Sequence, residues 1–490
     1  MKKEVIVVGG GIGGLAAAAL LAKEGFAVTL LEKNSTVGGR ARIWEKDGFR
    51  FDMGPSWYLM PEVFEHFFEL FGQKRADYYD LKRLDPAYRV FFEPGRGIDV
   101  SSDLEQAARL FESFEPGGAE KLRRYVRQSQ YKYEVAMREF LYKNYTSVFD
   151  FLNRRMLIEG SRLNVFGSLD RMVGRRFKDR RAKQLLEYAM IFLGTSPQKA
   201  PGLYSIMSHV DLNLGVFYPH GGLSAVSSAL QKLAESQGVT IRSGEPVERI
   251  VVSGGRARAV VTPRETLTAD LIVANADYAH VETRLLDESG RSKQEGYWKK
   301  RVWAPSMFLL YLGLNRRMEA FTHHNLYFRD NWDLHFDTIF KRPGWPEKPC
   351  FYVSCISKSD DNAAPAGGEN IFVLVPVAPG LEDTDEQRQS YADHLLSHVE
   401  EISGESIRSA IEVQRIYSQR DFIEDYNAYR GTALGLSHTL GQTAIFRPPL
   451  QSRRVENLFY TGQYTHPGVG VPMVLISAQV ATDLIKESAA

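Results

Sequence analysis

Cysteine is almost missing from the sequence: the 490-residue chain has two, Cys350 and Cys355. A disulfide framework is thereby excluded, a reducing compartment is expected, and a thiolate metal centre would need more ligands than these two supply. Charge of one sign is also missing. Sixty-one Lys and Arg meet 60 Asp and Glu, a formal net of +1, so no global field draws the chain to nucleic acid. Long hydrophobic runs are lacking as well. MFLLYLGL (307–314) and VPMVLIS (471–477) fall far short of the about 20 residues that a bilayer span takes. The chain is therefore not expected to be integral to a membrane, although it can still lie on one. No leader precedes KKEVIVVGG, so no signal peptide is expected. There is no internal repeat and no low-complexity tract. What remains is a globular composition, 44% apolar and 25% charged, too long for one ordinary core and divided into two or three interleaved domains.

The amino-terminal stretch EVIVVGGGIGGLAAAALLAKEGFAVTLLEKN (4–34) is the most informative. Val5 to Val8 form a short β-branched run suited to a buried parallel strand. Gly9, Gly11 and Gly14, with Ile12 and Gly13 inside the motif, give G-x-G-x-x-G, and an alanine-rich helix closes at Gly25. The second strand ends at Glu32, followed by Lys33. Each part has a task at a dinucleotide: a tight turn, room for the pyrophosphate, a helix N-terminus facing phosphate charge, and a carboxylate for ribose hydroxyls. Next come Gly38, Gly39 and Arg40, which supply more backbone donors and a fixed cation for the same pyrophosphate. GFRFDMGPS then reads as a strand entering a tight turn at Gly54, Pro55 and Ser56.

In order and spacing, GGGIGG, EK, GGRAR and FDMGPS resemble the flavin amine oxidase and carotenoid desaturase superfamily. The resemblance, not the glycine count, implies FAD rather than NAD. It also implies that residues 216–285 return to the FAD domain, with Val247 offering a backbone contact to adenine. Ala274 and Asn275 would then pass the pyrophosphate.

Two middle segments leave alternatives open. WYLMPEVFEHFFELF (57–71) places Val63, Phe64, Phe67, Phe68 and Phe71 at helical spacing, either as a core helix or as the wall of a greasy tunnel. From Arg154 to Lys183 there are ten Lys or Arg against three Asp or Glu, a local net of +7. Phe149, Phe151, Leu152, Met156, Leu157, Ile158, Val165, Phe166 and Phe177 lie in and beside this segment. Such a stretch is either a solvated face or a surface for anionic lipid. His323 and His324 are adjacent, so on a strand they point to opposite faces and no metal site is expected. They are structural or close to substrate. MFLLYLGL and IFVLVPV read as sheet strands of a second domain.

The tail NLFYTGQYTHPGVGVPMVLIS (457–477) is similar to the carboxy-terminal flavin segment of bacterial-type phytoene desaturases. That similarity implies a strand running into Gly462 and a helix opening at Val471, Pro472 and Met473 beneath the isoalloxazine. Pro472 suits a first helical turn. No cysteine lies in the tail, so no thioether to flavin forms there and the FAD is expected to be non-covalent. No second dinucleotide fingerprint appears, so oxygen or a quinone is the expected acceptor.

The expected architecture is α/β: a Rossmann-like FAD-binding domain interleaved with a mixed-sheet substrate domain and a helical region set against a membrane. Its parts are 1–75, 216–285 and 441–490 for FAD, 76–215 for the helical region and 286–440 for substrate. The implied activity is carotenoid desaturation of a phytoene-type or later intermediate, by hydride transfer from an allylic carbon to flavin and proton loss from its neighbour. Carotenoid isomerisation, amine or porphyrinogen oxidation and non-catalytic prenyl-lipid carriage are the alternatives. Such chemistry asks for length, apolar walls and alignment more than strong acids and bases. No triad is visible and no catalytic base is assigned. Gln463, Tyr464 and His466 are the polar groups nearest the implied flavin edge. The expected location is cytoplasmic, peripheral on the inner face of the membrane.

Overall fold

The computed structural model describes residues 2–145, 163–164 and 167–489. Of the interleaved apolar residues in the basic segment, Phe149, Phe151, Leu152, Met156, Leu157, Ile158, Val165 and Phe166 lie outside the described residues.

A five-stranded sheet carries the glycine motif. Its order is Leu458–Tyr460, Leu271–Ala274, Glu4–Val8, Ala27–Glu32, Thr240–Ser243, and every pair is parallel. Parallel strands bury both faces, and the first strand shows how the sequence meets that demand. Val5 and Val7 pack among the helices Ile12–Lys23, Leu223–Ser236 and Val471–Ala489, while Ile6 and Val8 pack on the opposite side. There they meet a three-stranded antiparallel sheet built from Arg249–Ser253, Arg256–Val261 and Thr266–Thr268. That small sheet takes residues 266–268, so the expected strand at 267–278 is confined to Leu271–Ala274. The alanines of Ile12–Lys23 let its axis lie close to the sheet and to Val471–Ala489.

The second domain is a seven-stranded mixed sheet. Ser306–Leu314 lies antiparallel to Glu369–Val377 over its whole length, from Ser306 opposite Val377 to Leu314 opposite Glu369. Tyr88–Glu93 joins the same sheet in parallel with His324–Tyr327. Period-two alternation again sorts the faces. Phe308, Leu310 and Leu312 pack under helix Asp385–Ser403, and Met307, Leu309 and Tyr311 face the other way. Met307 and Leu309 line a large cavity.

Helix Pro61–Glu69 resolves one open alternative. Val63, Phe64, Phe67 and Phe68 are buried in the core around Ile12–Lys23 and none lines the cavity, whereas Leu59 and Met60 just before the helix do. The phenylalanines are core. In the basic segment, Phe177 is fully buried and three arginines have internal partners. Arg181 pairs with Asp179 at 2.9 Å and lies over Phe114. Arg180 pairs with Asp330, and Arg176 donates to Gln128 at 2.7 Å. No helix among the described residues is long and apolar enough to cross a membrane.

Candidate active site

The loop after the first strand is built by close approach. Gly9 has a φ of +100°, and a Cβ on Gly14 would run into the Gly9 carbonyl, so helix and strand meet only because Gly14 has none. Asn275, at the end of Leu271–Ala274, fills the remaining space. Its Nδ2 donates to Gly9 O at 3.3 Å. A Cβ at Gly13 or Gly462 would lie 2.7 or 2.9 Å from its Oδ1. Residues 9, 13, 14, 275 and 462, far apart in the chain, therefore form one unit.

The Gly38-Gly39-Arg40 stretch docks on the same loop. Gly38 N–H donates to Gly10 O at 2.7 Å, Gly11 bridges Gly38, and a Cβ on Gly39 would stand 3.1 Å from Gly11 Cα. Arg40 lies over the Tyr426 ring at 4.9 Å, and its Nε and Nη2 are buried without a hydrogen-bond partner among the described residues. Buried guanidinium donors left unpaired are costly unless an anion takes them. Glu32 is buried at the end of its strand. It accepts from Gly10 N at 2.8 Å and from Asn34 N and Nδ2 at 2.8 and 2.9 Å. Three of its roughly four acceptor positions are thus used internally, leaving about one for a ligand hydroxyl.

Apart from Gly10 and Gly14, these residues line a single cavity of about 1330 Å³. Of the site residues expected from sequence, Gly9, Gly11, Ile12, Gly13, Glu32, Lys33, Gly38, Gly39, Arg40, Gly54, Pro55, Ser56, Val247, Asn275, Gly462, Val471, Pro472 and Met473 line it. Gly14 and Ala274 do not: Gly14 lies behind the loop against Gly9, and Ala274 is spent on pairing with Val8 and Tyr460. Helix Val471–Ala489 opens at the cavity wall, so its first-turn amides and positive dipole end lie there. Away from the glycines the lining is apolar, with Phe192, Leu203, Ile206, Met207, Leu309 and Leu374 among its walls.

Gln463, Tyr464 and His466, named from the sequence, line the cavity, whereas Asp277, Arg447, His438 and Tyr204 were not legible there. Asp277 is buried, and the Tyr464 hydroxyl donates to it; burial raises its carboxyl above the ordinary range, against the pull of Tyr464. Its position just after Asn275 was the available signal. Arg447 is buried, has no carboxylate partner among the described residues, and donates to the carbonyls of Gln442, Gln463, Tyr464 and Thr465. Burial lowers its pKa to about 10. Val469 N–H donates to His438 Nε2 at 3.2 Å, which places the imidazole proton on Nδ1. Nδ1–H then donates to the Tyr204 oxygen at 2.7 Å, and the Tyr204 hydroxyl donates to Thr443 at 2.8 Å. His466 donates from Nε2 to the carbonyls of Phe140 and Leu141, each at 3.1 Å, and burial pushes its pKa down to about 4. Both histidines are therefore neutral at ordinary pH.

His323 and His324 resolve as packing residues. His324 stacks on Trp57 at 4.4 Å and bonds Tyr352 at 2.6 Å through Nδ1, backing two residues that line the cavity. His323 packs edgewise on Tyr218 at 4.8 Å. Burial pushes the pKa of His323 down to about 3. Among the described residues no cluster of three His, Cys, Asp or Glu could hold a metal.

The model of the family described as flavin containing amine oxidoreductase matches residues 12–485. The chain belongs to that family. Its members carry flavin, and the chain is accordingly a flavin oxidoreductase. Among family relatives, a carotenoid 3,4-desaturase of Haloarcula japonica is 45% identical over 489 residues, covering 100% of this chain and 99% of that one. A zeta-carotene-forming phytoene desaturase of Myxococcus xanthus is 36% identical over 485 residues, covering 98% and 93%. An oxidoreductase structure from Methanosarcina mazei superposes with a TM-score of 0.64 at 17% identity, covering 98% of this chain and 100% of that one, a likeness of fold. The residues fit the cofactor of this family: orphaned guanidinium nitrogens, a loop that only glycine can form and a strand-end carboxylate with spare acceptor capacity all face one cavity.

Proposed function

We propose that the protein is an FAD-dependent carotenoid desaturase that holds FAD without a covalent bond and works at a membrane surface. One observation carries this reading: the wall suited to a dinucleotide and the apolar walls belong to the same cavity. The dinucleotide assignment is supported by Glu32 beyond the G-x-G-x-x-G motif and by Val247, which lines the cavity just after Glu245 N–H bonds Glu32 O at 2.8 Å. Non-covalent binding is supported by the sequence of the tail and by the position of Cys350 and Cys355, neither of which lines the cavity. The proposal keeps the five-part division, in which 1–75, 216–285 and 441–490 hold the cofactor. It is supported by the parallel sheet, whose strands all come from those three parts.

Bound at this wall, flavin supplies a two-electron acceptor for hydride. Glu32 would hold the ribose and Arg40 the pyrophosphate charge, while Gly462 and the first turn of Val471–Ala489 leave room and dipole for the ring system. Leu309, Leu374, Phe192 and Met207 align an extended polyene and exclude water, so that orientation supplies the catalytic advantage. Loss of a hydride and of a proton from adjoining carbons leaves one new C=C bond and removes two hydrogens from the substrate. No side chain is assigned as the proton acceptor. Oxygen or a quinone is the proposed terminal acceptor, and the proposed location is the cytoplasmic face of the membrane.

Mass spectrometry of the product formed from phytoene in liposomes by FAD-loaded protein tests the reading. Loss of hydrogens in pairs supports it and counts the steps. An unchanged mass with altered retention would assign isomerisation instead, since an isomerase could use the same cavity.

A further inference from the structure

We propose that the cavity mouth docks on a bilayer bearing anionic headgroups, through Leu440, Phe446 and Val302 with Lys299 and Lys300 beside them; the choice of lipid as partner rests on the apolar-substrate reading above. Among the described residues six large hydrophobic side chains are exposed, and three of them belong to one hydrogen-bonded unit: Val302 at 37%, Leu440 at 40% and Phe446 at 53% exposure. Val302 N–H donates to Gln442 Oε1 at 2.9 Å, and Gln442 Nε2 returns to Val302 O at 2.7 Å. Ser437 N–H also donates to Val302 O, at 3.1 Å.

Exposed apolar side chains scattered singly need no explanation. Here Leu440 and Phe446 also line the cavity, together with Ala444 and Ile445 between them, so apolar surface runs from solvent into the interior. The loop is held in this pose. Arg447 fastens it to the carbonyls of residues 463–465, and Thr443 is bonded to Tyr204. Such pre-organisation lowers the entropic cost of binding. Lys299 and Lys300 lie three and two residues before Val302 in the chain and are exposed. Lysine beside exposed apolar side chains matches the headgroup and acyl layers of an anionic bilayer. Among the described residues of the basic segment, Arg176, Arg180 and Arg181 are tied to Gln128, Asp330 and Asp179. A water-insoluble polyene enters such a cavity most directly from lipid when the mouth itself sits in the interface.

The test is flotation of the full-length flavoprotein with phosphatidylcholine vesicles, with and without phosphatidylglycerol, and with no carotenoid present. The expected result is binding to the anionic vesicles, lowered about tenfold or more by Leu440→Ser with Phe446→Ser. Lys299→Glu with Lys300→Glu should lose binding only where phosphatidylglycerol is present. Phe446→Trp, which keeps the apolar character, should be quenched by brominated acyl chains, and it decides the matter if the serine variant fails to fold. Wild-type protein that does not float, serine variants that fold and float unchanged, or an unquenched tryptophan would overturn the proposal. So would a dimer in sedimentation that Phe446→Ser separates without any effect on vesicles, since the patch would then belong to a second copy. Because no carotenoid is used, these outcomes are independent of whether desaturation is found.

Discussion

Single side chains decide whether the cavity can hold a charged cofactor. Glu32 ties Gly10 and Asn34 together while offering one further acceptor position. Glu32→Ala is therefore expected to lose most of the bound FAD, read as the flavin-to-protein ratio after purification; an unchanged ratio would refute the ribose assignment. Asp211 is a different case, buried outside the cavity lining and accepting from Tyr88 at 2.8 Å and Tyr188 at 2.9 Å. Burial raises its pKa from 3.8 to about 7, against the lowering effect of the two hydroxyls. A carboxyl whose folded pKa lies above its unfolded value binds more protons in the folded state, so its contribution to stability declines as pH rises between 3.8 and about 7. Asp211→Asn keeps an acceptor for both tyrosines and removes that titration. Urea midpoints at about pH 5 and about pH 8 should show the variant gaining on wild type at the higher pH. An equal difference at both values would mean that Asp211 is already ionised in the fold at about pH 5.

Elements carry packing that the sequence pattern left ambiguous. Phe67 lies in helix Pro61–Glu69, fully buried in the core around Ile12–Lys23 and away from the cavity. Phe67→Ala should cost about 3–5 kcal/mol in denaturant unfolding, with substrate preference unaltered. A changed product pattern at intact stability would return the helix to the tunnel wall. Helix Asp385–Ser403 has a capping box between Thr384 and Gln387 and ends at Gly404 with a φ of +70°. Thr384→Ala is expected to lower stability by about 1 kcal/mol, measured as a shift in urea midpoint without loss of flavin. Helix Pro61–Glu69 was visible as periodicity. Its burial partners were not, because a stripe of phenylalanines looks the same whether it faces a core or a tunnel.

At the scale of the whole molecule, the residues proposed for the cofactor and the apolar walls proposed for the substrate line one cavity, which Leu440 and Phe446 of the 437–447 loop also line. Reduced flavin in this arrangement should be reoxidised from outside rather than by a built-in nicotinamide site. Anaerobic mixing with carotene is expected to bleach the flavin, and oxygen or a quinone to restore its colour. A requirement for NADP would contradict the proposed acceptor.

The sequence alone determined the elements whose chemistry is local. G-x-G-x-x-G between a β-branched run and an alanine-rich helix, Glu32 at a strand end and Gly38-Gly39-Arg40 after it work at short range, so their spacing was legible. Tertiary structure decided what depends on distant partners. It wedged Asn275 among Gly9, Gly13 and Gly462, and set Arg40 over Tyr426 with two nitrogens unpaired. It also left Ala274 out of the cavity lining and turned Met307 and Leu309 rather than Phe308 toward the cavity. Which of two alternating faces meets a cavity, and how Arg40 comes to lie over Tyr426, are set by contacts distant in the chain, which no local pattern encodes.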